Sequence, residues 1–341
     1  MKTSTDSDGL GIADAHNDLL LACLHRSERG VTDPFGEDWL PGLRAGSVNF
    51  QVLPIFTEEQ HIGEGALRRA LELVDHAREI ATTHESDVLI VESADDIDLA
   101  LKTGRIGLLI AIEGAEPIGS SISMFETLWR LGVRMASLTW NRRTMMADGV
   151  GEADTGGRLT SLGIESISEM ERLGMILDVS HLSMAGVTHV AEVARRPFVA
   201  THSSCRKLCD HPRNLSDEQI VLVSDSGGFV GINAFGAFID KSRPTIDRYV
   251  DHVVHAAGIA GIGHVCIGAD FIEDLVRHVD PILGKVLVAP DDLSTIDDLR
   301  RPSDYPNLAS VLVDRLGIQD ASRVASDNLL DFFRTSLPGT S

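Results

Sequence analysis

The chain has 341 residues, 43% of them hydrophobic, which is ample for a large core and excludes disorder. Its 51 acidic side chains against 30 Lys and Arg give a formal charge of −21, which repels phosphate backbones and anionic surfaces and argues against nucleic-acid or membrane partners. Cys23, Cys205, Cys209 and Cys266 form no C-x-x-C pair, are too sparse for a disulfide framework, and read as reduced thiols.

In chain order the sequence repeats one theme, a short apolar β-branched run followed by a longer segment of helical spacing. The runs are "GIADAH" (11–16), "VNFQVLPIF" (48–56), "IGLLIAIEG" (106–114), "VRMASLTW" (133–140), "MILDVSH" (175–181), "FVATHS" (198–203), "FVGINAF" (229–235) and "HVCIGADF" (264–271). Helical patterns cover 64–84, 123–132, 159–174, 183–196, 216–228 and 245–261. Gly174 and Gly228 stand where C-caps are wanted, and Ser216, with Glu218 close behind, reads as a helix start. A further strand-like run, "DVLIVES" (87–93), and the stretch 271–300 fall outside the rhythm and are expected as insertions or loops. Two helices, "YPNLASVLVDRLG" and "ASRVASDNLLDFFRT", close the chain.

Eight buried strands alternating with helices predict an α/β fold, a single-domain (β/α)8 TIM-like barrel with extra C-terminal helices. No Pro-, Gly- or Ser-rich linker divides the sequence, so residues 1–341 are expected to form one domain, with an ordered core over about 10–335. The N-terminal "MKTSTDSDGL" has no apolar stretch of a secretory signal and no run approaches 18 apolar residues. A cytoplasmic protein is expected.

In such a barrel the C-terminal strand ends form the active face. His16 and Asp18 end the first run, Glu113 the third, His181 the fifth, His202 the sixth and Asp270 the eighth. Any one of these alone reads as a hydrogen-bonded structural residue. Six of them at the same end of five strands predict a site. Three imidazoles with carboxylates suit zinc or a similar divalent ion and suffice for two ions if one carboxylate bridges. Glu113, the only ionisable residue at the end of its strand, is the natural bridge. The remaining histidines fall in helices, loops or strand starts and read as structural or solvated.

The ordered set "DAHND", "AIEGAEPI", "SLTWN", "LDVSHLS", "VATHSSCRKLCDHPRNLSDEQI", "GINAF", "IGADF", "YPNLASVL" and "SDNLLDFF" resembles the membrane (renal) dipeptidase family of zinc metallopeptidases, within the amidohydrolase-like barrels. The resemblance covers nearly the whole chain. It implies two Zn2+ ions, one held by His16, Asp18 and Glu113 and the other by Glu113, His181 and His202. It implies hydrolysis of dipeptides, including those with a D-residue at the C-terminal position, by a metal-bridging hydroxide. Asp270 would be the acid/base and Arg213 the partner of the substrate's terminal carboxylate, and a homodimer is implied. Asp14 and Asp178 would be supporting residues that orient the histidines.

Two positions depart from the family pattern. Trp140 stands where the best-studied branch has a histidine that contacts the reacting carbonyl, and "DFIED" replaces the frequent D-F-D-G. A Trp offers one N–H donor and no charge, so it bears on specificity. Two other readings stay open: an amidohydrolase acting on an N-acyl amino acid, cyclic amide or lactone, and a non-catalytic metal-binding protein.

Overall fold

Continuous burial sets the character of the strands: all eight residues of Ile106–Glu113 are buried, as a parallel sheet covered on both faces requires. The computed structural model describes residues 9–273, 275–279 and 295–339. Its strands are β1 (Ile12–Asp14), β2 (Val48–Phe56), β3 (Val88–Ile90), β4 (Ile106–Glu113), β5 (Val133–Ser137), β6 (Ile176–Asp178), β7 (Phe198–Val199), β8 (Val230–Ile232) and β9 (Val265–Ile267). Every pairing is parallel, in the order β7-β6-β5-β4-β2-β1-β9-β8. A bridge between Ala200 and Val230 joins the two ends, with Gly231 N–H donating to Ala200 O at 2.8 Å. The expected barrel is closed.

The run at 87–93 is not a loop. It forms β3 and pairs with Ile106–Leu108, at the start of β4, before β5 takes over that edge at Ile110. The later stretch falls partly outside the described residues, at 274 and 280–294. Its described part includes a helical turn at Leu275–Val279.

The helices fall where their spacing predicts, a few residues shorter at the ends. Ser216 caps Asp217–Asp225 in a capping box whose partner is Gln219 rather than Glu218. Gly174 ends Ser161–Leu173 in the left-handed conformation. Gly228 is not a cap: a Cβ there would lie 1.8 Å from the Phe198 carbonyl oxygen, so close packing explains the glycine. None of the described helices is long and apolar enough to cross a membrane.

Alternation along the strands separates two cores. Leu109 and Ala111 join an inner cluster with Ala13, Phe50, Val52 and Val199, while Leu108, Ile110 and Ile112 pack outward under the helices. The helix Asn328–Ser336 adds Leu329 and Phe333 to the inner cluster, with the Phe333 ring 5.1 Å from Phe50. Glu113 continues the inward parity of Leu109 and Ala111. The strand therefore aims its carboxylate into the barrel mouth.

Candidate metal centre and active site

Each strand end delivers its polar side chain in its own way. Glu113 is the last residue of β4, and His16 lies two residues past β1. Asp18 occupies the N-cap position of Leu19–Ser27 yet makes no capping hydrogen bond, which leaves its carboxylate to the site. Asp270 takes a φ of 56°, unusual for a residue with a side chain, and its N–H donates to His16 O at 2.9 Å. Gly231 and Gly268 let β8 and β9 close on the chain before His202: a Cβ on either would lie 2.0 or 1.8 Å from the Thr201 oxygen.

The side chains converge on one oxygen. Glu113 Oε1 lies 2.8 Å from His181 Nε2, 3.3 Å from His202 Nε2 and 3.7 Å from His16 Nε2. His181 Nε2 and His202 Nε2 are 2.8 Å apart. His16 Nε2 stands 4.0 Å from Asp18 Oδ2 and 3.9 Å from Asp270 Oδ1. All six residues are buried.

Neighbouring hydrogen bonds fix the tautomers. Thr201 Oγ1 donates its one proton to Asp178 Oδ2 at 2.6 Å, so toward His202 Nδ1, 2.9 Å away, it can only accept. Asn141 Oδ1, an acceptor, lies 2.8 Å from His181 Nδ1. Both rings therefore carry their proton on Nδ1 and turn a bare Nε2 toward Glu113. Among the described residues, His16 Nε2 is buried with no hydrogen-bond partner.

The electrostatics point the same way. Burial, aided by Arg213, holds the His16 imidazole down to about 3 and drives His181 and His202 well below the usual range, so the rings are neutral. Burial pushes Glu113 and Asp18 up, reinforced by their carboxylate neighbours. It also raises Asp270, against the hydrogen bond from Asn233 and the charge of Arg213. Lone pairs and crowded carboxylates that face one another without a donor are costly unless a cation sits among them. This donor set fits divalent ions: His16, Asp18 and Glu113 form one triad and Glu113, His181 and His202 another, each with donor atoms within 4.8 Å of one another. Asp178 lies in similar proximity to His16 and His202. However, Ser180 and Thr201 engage it with four hydrogen bonds, which marks it as a support.

The centre forms part of the lining of a cavity of about 680 Å³, shared by Asp18, Glu113, His181, Asp270, Arg213 and Trp140. Arg213 is buried, with Nη1 donating to Ser180 O and Nη2 to His202 O at 3.1 Å, and burial lowers it to about 10. A guanidinium has five N–H donors, so others remain for a ligand. The Trp140 ring packs 5.7 Å from His181 and 5.1 Å from Phe56.

The structure thus brings together every residue expected at the rim. Asp14 needs correction as an orienter of a histidine ring. Its carboxylate accepts from the backbone N–H groups of His16 and Ala269, from Gln51 and from the Tyr305 hydroxyl, which ties β1 to its neighbours and to the start of the helix Tyr305–Leu316. Asp178 does support His202, through Thr201. Sequence reasoning missed Asn141, Thr201 and Asn233, whose Nδ2 donates to Asp270 Oδ2 at 2.7 Å. All three lie inside the quoted motifs, next to or near a ligand.

A closed β/α barrel whose rim gathers neutral imidazoles and carboxylates beneath an open cavity is the architecture of a metal-dependent hydrolase. Comparison with known proteins narrows the class. The sequence profile of the membrane dipeptidases, peptidase family M19, matches residues 8–336, and the chain belongs to that family. It is 30% identical over 305 residues to an uncharacterized dipeptidase of Schizosaccharomyces pombe, a match covering 80% of this chain and 73% of that protein. The fold is shared with the dipeptidase AC, an M19 metallopeptidase, at a TM-score of 0.84 and 23% identity over 97% of this chain and 99% of that one. It is also shared with a Rhodobacter sphaeroides metallopeptidase liganded with a phosphinate mimic of L-Ala-D-Ala, at a TM-score of 0.83 and 22% identity over 97% and 100%. The chain is accordingly a hydrolase of the dipeptidase class.

Proposed function

We propose that this chain hydrolyses the peptide bond of free dipeptides, including those ending in a D-residue, with two zinc ions. His16, Asp18 and Glu113 would hold one ion and Glu113, His181 and His202 the other. The observation that carries this reading is the position of Glu113 Oε1, within 3.7 Å of the Nε2 atoms of all three histidines. When bound, the ions supply the Lewis acidity that activates water and steadies negative charge on the carbonyl oxygen.

The chain's own residues do the rest. Arg213 pairs with the C-terminal carboxylate in a bidentate fork, which limits substrates to two residues. Asp270, held at Oδ2 by Asn233, takes a proton from the attacking water and returns it to the leaving nitrogen, which must be protonated before it departs. The ligand of the Rhodobacter protein, a mimic of L-Ala-D-Ala, supports tolerance of a D-residue.

Trp140 favours a second reading, hydrolysis of N-acyl amino acids, which keep the carboxylate but carry no α-amine. A panel of L,L- and L,D-dipeptides, tripeptides and N-acetyl amino acids, assayed beside elemental analysis, tests both. The first reading predicts dipeptide turnover with two zinc ions per chain. Faster cleavage of N-acetyl amino acids than of any dipeptide, or full activity without a divalent ion, overturns it.

A further inference from the structure

The loop after β5 supplies three consecutive side chains near the centre: Trp140, Asn141 and Arg142. Only Arg142 is so far without a role. Its guanidinium lies 4.8 Å from the Trp140 ring centroid and 5.8 Å from that of Phe56. Nη1 donates to Glu116 Oε1 at 2.8 Å, and Nη2 donates to Glu59 Oε1. One side chain thus links the loops that follow β2, β4 and β5, and it lines the cavity.

The seat of Glu116 is specialised. Gly114 has a φ of 89°, and a Cβ there would lie 2.2 Å from Glu116 Oε2. Among the described residues that oxygen is buried with no hydrogen-bond partner, so the carboxylate is desolvated, and the one ion pair it makes there is with Arg142. Exposed ion pairs carry no such burial cost. Trp140, in turn, bridges from the guanidinium to the ring of His181.

We propose that Arg142 is a positioning residue. Braced by Glu59 and Glu116, it holds the Trp140 indole as the wall against which the amino-terminal residue of the substrate packs. This rests on the dipeptidase reading. Arg213 is anchored to carbonyls that follow β6 and β7, whereas Phe56 ends β2 and Glu116 and Trp140 follow β4 and β5. A dipeptide with its carboxylate on Arg213 and its amide over Glu113 therefore directs its first residue toward this wall.

The test compares wild type, Arg142→Ala, Arg142→Lys, Trp140→Ala and the Arg142→Ala/Trp140→Ala double variant with L-Ala-L-Ala, following KM, kcat, bound metal and near-ultraviolet circular dichroism. Arg142→Ala should raise KM about tenfold while kcat falls less than about threefold and metal content stays the same. The double variant should match Trp140→Ala, because the arginine acts through the indole. Arg142→Lys keeps the charge but loses the planar fork, and should recover under half of the loss. It also replaces Arg142→Ala if that variant fails to fold. An unchanged KM, or effects that multiply in the double variant, overturns the proposal. If wild type cleaves no dipeptide, the dipeptidase reading fails instead. The dichroism then still decides on Arg142: the indole signal must change on its removal in wild type and stay constant in the Trp140→Ala background.

Discussion

Asn141 Oδ1 accepts the Nδ1 proton of His181 across 2.8 Å, and this one bond decides which ring nitrogen faces Glu113. Removing the acceptor frees the ring to rotate and to hold its proton on the wrong nitrogen. Asn141→Ala should weaken metal binding about 10–100-fold, as loss of such a partner commonly does, while the thermal transition of the metal-free protein stays close to wild type. Competition against a chromophoric chelator measures it. Affinity equal to wild type would show that the ring is held by packing alone.

Protons and metal compete for the carboxylates, not for the rings. Burial holds the three imidazoles neutral and raises Glu113 and Asp18, so the metal-free centre keeps its protons on carboxyl oxygens. Metal requires those oxygens bare, so the free protein binds more protons than the loaded one. Loading must then release protons, and affinity must rise with pH through the elevated carboxylate range. Calorimetric titration with zinc at pH 6, in two buffers of different ionisation enthalpy, reads the direction. Net proton uptake would contradict the assigned charges.

Asp270 and Glu113 are both buried carboxylates, yet their substitutions should differ. Asp270→Asn keeps shape and hydrogen bonding to Asn233, so bound metal should persist while kcat drops about 10²–10⁴-fold, the usual worth of a positioned acid/base. Glu113→Gln should lose metal as well as turnover, because its oxygen is common to both triads. Elemental analysis beside initial rates separates the two outcomes. A metal-free Asp270→Asn protein would make that residue a ligand.

Gly268 packs against the oxygen of Thr201, next to His202. Gly268→Ala places a methyl 1.8 Å from that atom, so the strand must shift. Overpacking of this kind costs about 1–3 kcal/mol, seen here as a lower denaturant midpoint for the metal-free protein. It should also weaken zinc binding, because His202 moves with its backbone. Unchanged affinity would mean that the strain relaxes away from the site.

The cluster at the rim was legible because most of its residues sit where an apolar run ends, and burial with inward parity can be read from spacing. Glu113 follows Leu109 and Ala111 on the inner face, so its aim was implicit in "IGLLIAIEG". The supports were not legible. Thr201 matters because Asp178, from another strand, takes its proton, and Asn141 because a ring from the next strand meets it. These partnerships exist only across the barrel. Gly228 misled for the same reason, since the carbonyl that excludes a Cβ there belongs to Phe198. The strand-like run at 87–93 was visible, but its place was not: nothing in its own spacing shows that β3 pairs with the start of β4.

The cylinder is not uniformly strong around its circumference. β2 and β4 are matched over seven residue pairs, from Phe50–Gly107 to Phe56–Glu113, whereas β7 has two residues and meets β8 at a single bridge. His202 stands just beyond that thin seam, and Arg213 clasps its carbonyl. Staves so unequally joined make the β7–β8 gap, like the single Asp14–Ile267 pair between β1 and β9, a place where the barrel is expected to part before the β2–β4 seam does. A divalent ion held by Glu113 and His202 would act there as a rivet, closing a thin joint from inside the mouth.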